Sequence, residues 1–230
     1  MASRSFFRNV TLLAALIFCF AGISSLRATI VTWDLNPSST EGSVGSTSHT
    51  FSSSGYNITA YGYTVGYPNT PLGLYYKNGG SSELGLGVTS TSDHELQGNG
   101  WYPTQFIQLD VSSIVAQGFT NGKLQVNSVQ GNDSFVIWGS NTLGSAGQQI
   151  GSAYYSNSNM TFVSIANFTS YKYISIGALN GSVLAFAFQA EFNAVPEMSA
   201  LFPIVGLIVA IALTQLLRRR RIAQSRTASR

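Results

Sequence analysis

Residues 173–192 read YISIGALNGSVLAFAFQAEF, and the reading of this stretch decides the fold. Ile174, Ile176, Leu184, Phe186 and Phe188 offer a dense apolar surface in residue types that favour strands. Asn180-Gly181 divides the stretch into two apolar runs, and an Asn-Gly pair so placed is the strongest short-range hairpin signal. The expectation is a last hairpin, Tyr173–Leu179 against Val183–Phe192, lying at the centre of an antiparallel sheet.

Working outward, the same chemistry repeats. From Tyr56 to Tyr67 the chain alternates, with Ile58, Ala60, Gly62, Thr64 and Gly66 on one parity and Asn57, Thr59, Tyr61, Tyr63 and Val65 on the other. Leu72–Tyr76, Leu84–Val88, Phe106–Val111, Lys123–Val129, Phe135–Trp138 and Thr161–Ile165 are further short strand candidates. Turn signals separate them at Asn78-Gly79-Gly80, Asn121-Gly122 and Gly131-Asn132-Asp133. No helical period is sustained, although Ser112–Gln117 has room for one turn. Many short strands between frequent turns imply an all-β domain, an antiparallel β-sandwich. A jelly-roll-like arrangement is expected, with an immunoglobulin-like topology as the alternative.

The two ends differ from this middle. Arg4 and Arg8, the apolar run Val10–Ile23 and a small residue at Ala28 form the three-part layout of a secretory signal. Residues 1–28 are therefore expected to be a signal peptide, with cleavage before Thr29 or nearer Ser25. Cys19, the only cysteine, falls inside that run, behind the bulky Leu16, Ile17 and Phe18. The mature chain would then have no disulfide and no thiol nucleophile. At the other end, Ser199–Leu217 reads SALFPIVGLIVAIALTQLL without a charge, and Arg218, Arg219, Arg220 and Arg221 follow. As a helix this run is about 28 Å long at ~1.5 Å per residue, matching a hydrocarbon core of ~30 Å. The arginines orient it with the C-terminus in the cytoplasm, so the expected organisation is an ectodomain over 29–194, a membrane helix over 199–217 and a cytoplasmic tail over 222–230.

Val195, Pro196, Glu197 and Met198 stand directly before that helix. The order of a Val-Pro-Glu core, a minimal spanning helix and an arginine cluster over 195–221 resembles the PEP-CTERM sorting signal of Gram-negative bacteria rich in exopolysaccharide. Met198 stands where the family name has a second proline. The resemblance implies an exosortase-type processing enzyme as partner, with Pro196 and Glu197 as the recognition motif. It also implies inner-membrane anchoring in transit and a destination in the envelope, surface or extracellular matrix. Phe106–Asp110, Trp138–Thr142 and Tyr173–Ile176 are similar to segments of domains found above such tails, which again implies a sandwich.

Charge narrows the function classes. The whole chain is net +3, yet between Thr29 and Val195 only Lys77, Lys123 and Lys172 oppose Asp34, Glu41, Glu83, Asp93, Glu95, Asp110, Asp133 and Glu191. An acidic domain without arginine lacks the basic footprint that nucleic acid requires, and it disfavours anionic polysaccharide unless a cation mediates. No nucleophile elbow, His-Glu-x-x-His or cysteine cluster occurs. His49 falls in the Ser/Thr/Gly stretch Gly42–Ser54, read as a solvated loop. Asp93 and Glu95 in Ser92-Asp93-His94-Glu95 are candidate Ca2+ ligands, since hard oxygen donors from loops suit that ion; Asp133 or Glu191 would complete the site. The alternative is a polar loop with solvated carboxylates. Trp101-Tyr102-Pro103, in a Gly-flanked loop, is the candidate glycan contact among many tyrosines that also suit half-buried strands. Together these imply an exported, non-enzymatic surface or matrix protein associated with exopolysaccharide. The alternative is a secreted carbohydrate-active hydrolase using Asp93 or Glu95 with Glu191.

Overall fold

The chain from Tyr173 to Phe192 does not fold back at Asn180-Gly181; it continues as one strand of 20 residues. The structure, a computed structural model, describes residues 28–37, 41–66, 68–192, 205–215 and 217–218. In chain order the elements are β1 (Thr29–Asp34), β2 (Gly42–Ser43), β3 (Ser48–Ser53), β4 (Tyr56–Thr64), β5 (Thr70–Leu72), β6 (Leu74–Asn78), β7 (Leu84–Val88), β8 (Leu96–Asn99) and β9 (Gln105–Asp110). A one-turn helix, α1 (Ser112–Ala116), leads into β10 (Phe119–Asn127) and β11 (Ser134–Ser140). Then come β12 (Gln148–Gln149), β13 (Tyr154–Tyr155), β14 (Phe162–Ser164) and β15 (Tyr173–Phe192). The fold is all-β, and its strand pairs are antiparallel.

β15 is the strand on which the others assemble. One edge holds β11 against Tyr173–Asn180 and then β10 against Leu184–Phe192. The other edge holds β9, β8, β7 and β1 in turn. Strands β4, β3 and β5 extend the sheet beyond β9, and β6 and β2 extend it beyond β7. The expected hairpin is thus corrected, and its physical reason lies in Gly181, at φ 67°. A left-handed residue serves a β-bulge as well as a turn, and here β15 slips by one residue against β11 between Ala178 and Asn180. The second Asn-Gly signal behaves alike: Asn121, at φ 52°, and Gly122 form a bulge inside β10, between Thr120 and Lys123.

Alternation sets the core. In β4, Ile58, Ala60 and Gly62 face inward while Asn57, Thr59 and Tyr61 are more exposed, and Tyr63 breaks the alternation by burying its ring against Phe106. Ile58 and Ala60 pack in one cluster with Leu74 of β6, Leu86 and Val88 of β7, Leu109 of β9 and Phe188 of β15. Trp33 of β1 is fully buried between Phe119 and Phe188, each ring centroid 5.8 Å away. Its indole N–H donates to the Tyr56 carbonyl at 2.9 Å, giving a buried tryptophan the polar partner it needs. His49, read from sequence as part of a loop, lies in β3 opposite Ala60, because Thr50 and Phe51 complete a ladder with β4.

Residues 205–215 are helical and lie in a unit apart from the β-domain. Among the described residues no helix is long and apolar enough to cross a membrane. The expected signal peptide up to Arg27, Ser199–Ile204 of the expected membrane helix and the expected tail 222–230 lie outside the described residues.

Gly181→Ala is expected to destabilise the domain by about 1–3 kcal/mol, because alanine is strained at this φ and its Cβ would run into the Asp133 carboxylate. Urea unfolding of the variant and the parent measures it, and an unchanged midpoint would contradict the bulge.

Candidate functional site

The β8–β9 connection is a tight hairpin tip whose two aromatic side chains project into solvent. Trp101 is 87% exposed and Tyr102 59%, a strong inversion for side chains that usually supply core area. The backbone beneath them is pinned. Asn99 Oδ1 accepts the N–H groups of Trp101 and Tyr102, both at 3.0 Å, and the Asn99 N–H donates to the Tyr102 carbonyl at 3.3 Å. Gly98 bridges Pro103, and the Thr104 hydroxyl donates to the Gln97 carbonyl at 2.8 Å. The outer flank of β8 is hydrogen-bonded to β15 from Asn180 to Val183. The tip is therefore a held platform that offers an indole and a phenol to a ligand at little conformational cost.

Amide and aromatic groups extend this surface along one row of the sheet. Asn180 of β15 pairs with Asn99 on one side and with Ser134 on the other, and Ser134 pairs with the exposed Tyr155. Asn180 Nδ2 donates to the Asn132 carbonyl at 2.9 Å, which fixes the neighbouring loop. The Asn99-Gly100 turn signal was the readable trace of the support under Trp101; the contribution of Asn180 and Tyr155 needed the strand register.

Asp93 and Glu95 are brought near each other but are committed to the protein. Asp93 Oδ1 accepts the Glu95 N–H at 3.4 Å and Gln97 Nε2 at 3.2 Å. Glu95 is 3% exposed, and its Oε1 accepts Lys77 Nζ at 2.8 Å and the Ser128 hydroxyl at 2.8 Å. Lys77 also reaches Glu83 Oε2 at 3.2 Å. Burial lowers the Lys77 pKa, but the bonds and charges of Glu95 and Glu83 outweigh it, and the net value is raised above that of an ordinary lysine. The residues do not fit a Ca2+ site: the lysine ammonium holds the place a cation would take. Among the described residues no group of three or more His, Cys, Asp or Glu side chains converges on a metal position.

The other acidic residues considered for that site serve other contacts. Asp133 Oδ2 accepts the Gln130 N–H at 3.0 Å within its own turn. Glu191 pairs with Lys123 at 3.7 Å and accepts Asn121 Nδ2 at 2.6 Å. Leu96 faces Val183 on β15, so Glu191 lies roughly 25 Å further along that strand at ~3.3 Å per residue. A glycosidase carboxylate pair requires about 5–9 Å, so Glu191 cannot work with Asp93 or Glu95. Val195, Pro196, Glu197 and Met198 lie outside the described residues, as do Arg219, Arg220 and Arg221. Arg218 is described and exposed.

No protein family, no curated protein and no solved structure matches this chain.

Removing Lys77 would leave Glu95 charged and buried without a counter-ion. Lys77→Met is expected to cost about 3–5 kcal/mol at neutral pH, while Glu83→Gln, at the exposed end of the network, is expected to cost under about 1 kcal/mol. Because the folded-state pKa of Lys77 is raised, its contribution is complete below the ordinary lysine value of ~10.4 and is lost as pH rises through the folded value. Denaturant melts across the alkaline range measure this, and Ca2+ added to EDTA-treated protein is expected to leave the midpoint unchanged.

Proposed function

We propose that this chain is an exported, non-enzymatic surface or matrix protein whose β-domain, a jelly-roll-like sandwich, holds extracellular polysaccharide through the Trp101–Tyr102 tip. The observation that carries the reading is the exposure of Trp101 on a backbone fixed by Asn99. A flat apolar ring beside a phenol and amides is the chemistry that stacks on a sugar ring and bonds to its hydroxyls. Of the three lysines between Thr29 and Val195, Lys77 and Lys123 are occupied by carboxylates and the exposed Lys172 stands against eight acidic residues, so a neutral polysaccharide suits this acidic domain better than an anionic one.

The same proposal makes residues 195–221 a PEP-CTERM-like sorting signal. Its spanning helix covers 199–217, and its processing enzyme is of the exosortase type. In support, the helical residues 205–215 have no polar face: Leu207, Ile208, Val209, Ile211 and Leu213 are all exposed. A helix apolar all round needs a buried or lipid environment. The Thr214 hydroxyl is satisfied internally, donating to the Ala210 carbonyl at 2.6 Å, as a polar group in hydrocarbon must be.

Trp101→Ala is expected to lower retention on insoluble neutral polysaccharide about tenfold or more, from the loss of ~1.5–3 kcal/mol of ring burial, while stability changes by less than ~0.5 kcal/mol. Equal retention of variant and parent in a pull-down assay, or turnover of the polysaccharide by the parent, would overturn this reading. For the tail, mature protein is expected to lack Arg218–Arg221, and the joint change Pro196→Ala and Glu197→Ala is expected to leave full-length chain in the membrane. Mass spectrometry of the C-terminus reads both outcomes. An intact C-terminus on the surface form, unaltered in the double variant, would leave only a plain anchor.

A further inference from the structure

Strand β1, beside the central strand β15, and strand β3, at one end of the sheet, approach each other. Among the described residues β1 is paired with β15 alone and β3 with β4 alone, so each has one edge without a strand partner there, and a groove of about 380 Å³ lies where they approach. That volume falls within the ~300–1,000 Å³ of small-molecule sites. Thr32, Asp34, His49, Thr50, Phe51 and Ser53 line it.

These groups are held in place without being used up. Asp34 Oδ1 accepts the Asn36 N–H at 2.8 Å, and its other oxygen has no partner among the described residues. The His49 ring is fixed edge-on against Phe51, with centroids 4.8 Å apart, and against Tyr76 at 5.9 Å. Neither of its nitrogens is hydrogen-bonded within the described residues. Thr50 shares its hydroxyl with Thr59 at 3.0 Å and Thr32 accepts Gln189 Nε2 at 2.9 Å, so both keep hydrogen-bonding capacity toward the groove. Burial and then the Asp34 charge raise the pKa of Tyr76, which keeps that phenol neutral.

From this we infer that the β1–β3 groove is a second binding site for a neutral sugar segment, with Asp34 accepting from sugar hydroxyls and His49 donating to or accepting from them. The ligand class follows from the lining. Among the described residues Asp34 is the only carboxylate lining the groove and no lysine or arginine is there to receive a uronate, sulfate or phosphate; the remaining walls are hydroxyls, the His49 imidazole and the Phe51 and Pro37 rings. An uncharged polyol satisfies that set, whereas a peptide strand seeking the free edges would find no apolar pockets for its side chains. The site is separate from the Trp101 tip. Asp34 pairs with Ala187 and Asn99 with Asn180, a separation of roughly 23 Å along β15 at ~3.3 Å per residue. Two such sites on one domain cross-link a polymer, and this consequence rests on the polysaccharide reading of the tip.

His49 and His94 are the only histidines of the chain, so their imidazole signals report the groove and an internal control. The test uses the full chain in a detergent without a sugar headgroup, titrated with cellotetraose, maltotetraose and mannotetraose, with tetragalacturonate as the anionic control. The expected result is that at least one neutral tetrasaccharide shifts the His49 signals and not those of His94, in the parent and in Trp101→Ala alike. Asp34→Asn, folded by the same thermal midpoint, is expected to weaken that shift at least tenfold. Only the parent is expected to precipitate a long neutral polysaccharide. If His49 responds in Trp101→Ala but the tip variant retains polysaccharide like the parent, the groove stands and the tip reading fails. If His49 is silent while Trp101→Ala loses retention, the groove is overturned and the tip stands. A His49 response to tetragalacturonate alone, an Asp34→Asn variant that binds like the parent, or a concentration-dependent dimer that shifts His49 without sugar each overturns the proposal; the last assigns the edges to pairing between copies.

Discussion

The hydrogen-bond ladder on both edges of β15 is the constraint from which the rest of the domain follows. Cys19 is the only cysteine, so no disulfide closes the domain, and the order of its strands rests on pairing and packing. β15 makes this demanding, since it is the last strand in sequence and the central one in space. Thr29 pairs with Phe192, which joins the two ends of the domain. Such non-local contacts carry a high loop-closure cost and slow folding. The Trp33, Phe119 and Phe188 cluster offsets that cost where β1 and β10 meet β15, and the indole bond to Tyr56 ties β1 to β4. The ladder cannot be completed until the last residues of the domain, up to Phe192, are available to pair.

The same ladder positions what lies at the surface. Pairing of Asn180–Val183 with β8 leaves the Trp101 hairpin no freedom at its base, and Asn99 removes what freedom remains at its tip. Nearby, Lys77 and Glu95 form a pair that is costly to bury, since desolvation of both ions works against their attraction. The pair joins β6 to the loop before β8, and Ser128 anchors the same carboxylate to the chain after β10. Three segments distant in sequence are thereby fixed relative to each other at the start of β8. A buried ion pair is poor stabilisation but good registration, because any other arrangement leaves a charge unmatched.

Much of this was legible from residue types, and what was not has a common cause. Alternation in Tyr56–Thr64 separated the inward Ile58 and Ala60 from Asn57 and Thr59 but not Tyr63, which is also buried, and Leu84–Val88 was read with its observed bounds. The Asn-Gly pairs at 121–122 and 180–181 were read as turns and proved to be bulges, because the sequence encodes a left-handed backbone step and not the partner across from it. Strands competing for both edges of β15 decide between turn and bulge, and they come from Thr29 to Ser140. His49 was hidden for the converse reason: a Ser/Thr/Gly stretch has weak intrinsic preference, and its strand exists only because β4 is beside it. Trp101 could be singled out because it stands with Tyr102 and Pro103 in a Gly-flanked loop. The engagement of Glu95 could not, since nothing local to Ser92–Glu95 announces Lys77.

Spacing between the tip and the groove has its own consequence for what the domain can hold. The interval from Asn180 to Ala187 is paired with β8 at Asn180–Val183, with β10 from Leu184 and with β1 at Ala187, so a neighbouring strand holds it along its length and the two positions form a rigid gauge rather than a flexible tether. A rigid gauge excludes simultaneous binding of a short oligosaccharide at both ends, whatever its affinity for either. A long strand, or two neighbouring strands of a matrix, meets the gauge repeatedly, and the second contact then forms at the high effective concentration set by the first. On the proposed sugar-binding reading, selection for polymer over fragment needs no tight site, which fits an acidic, hydroxyl-rich surface. On the same proposed reading, the fixed spacing along one central strand converts two weak contacts into a preference for the polymer.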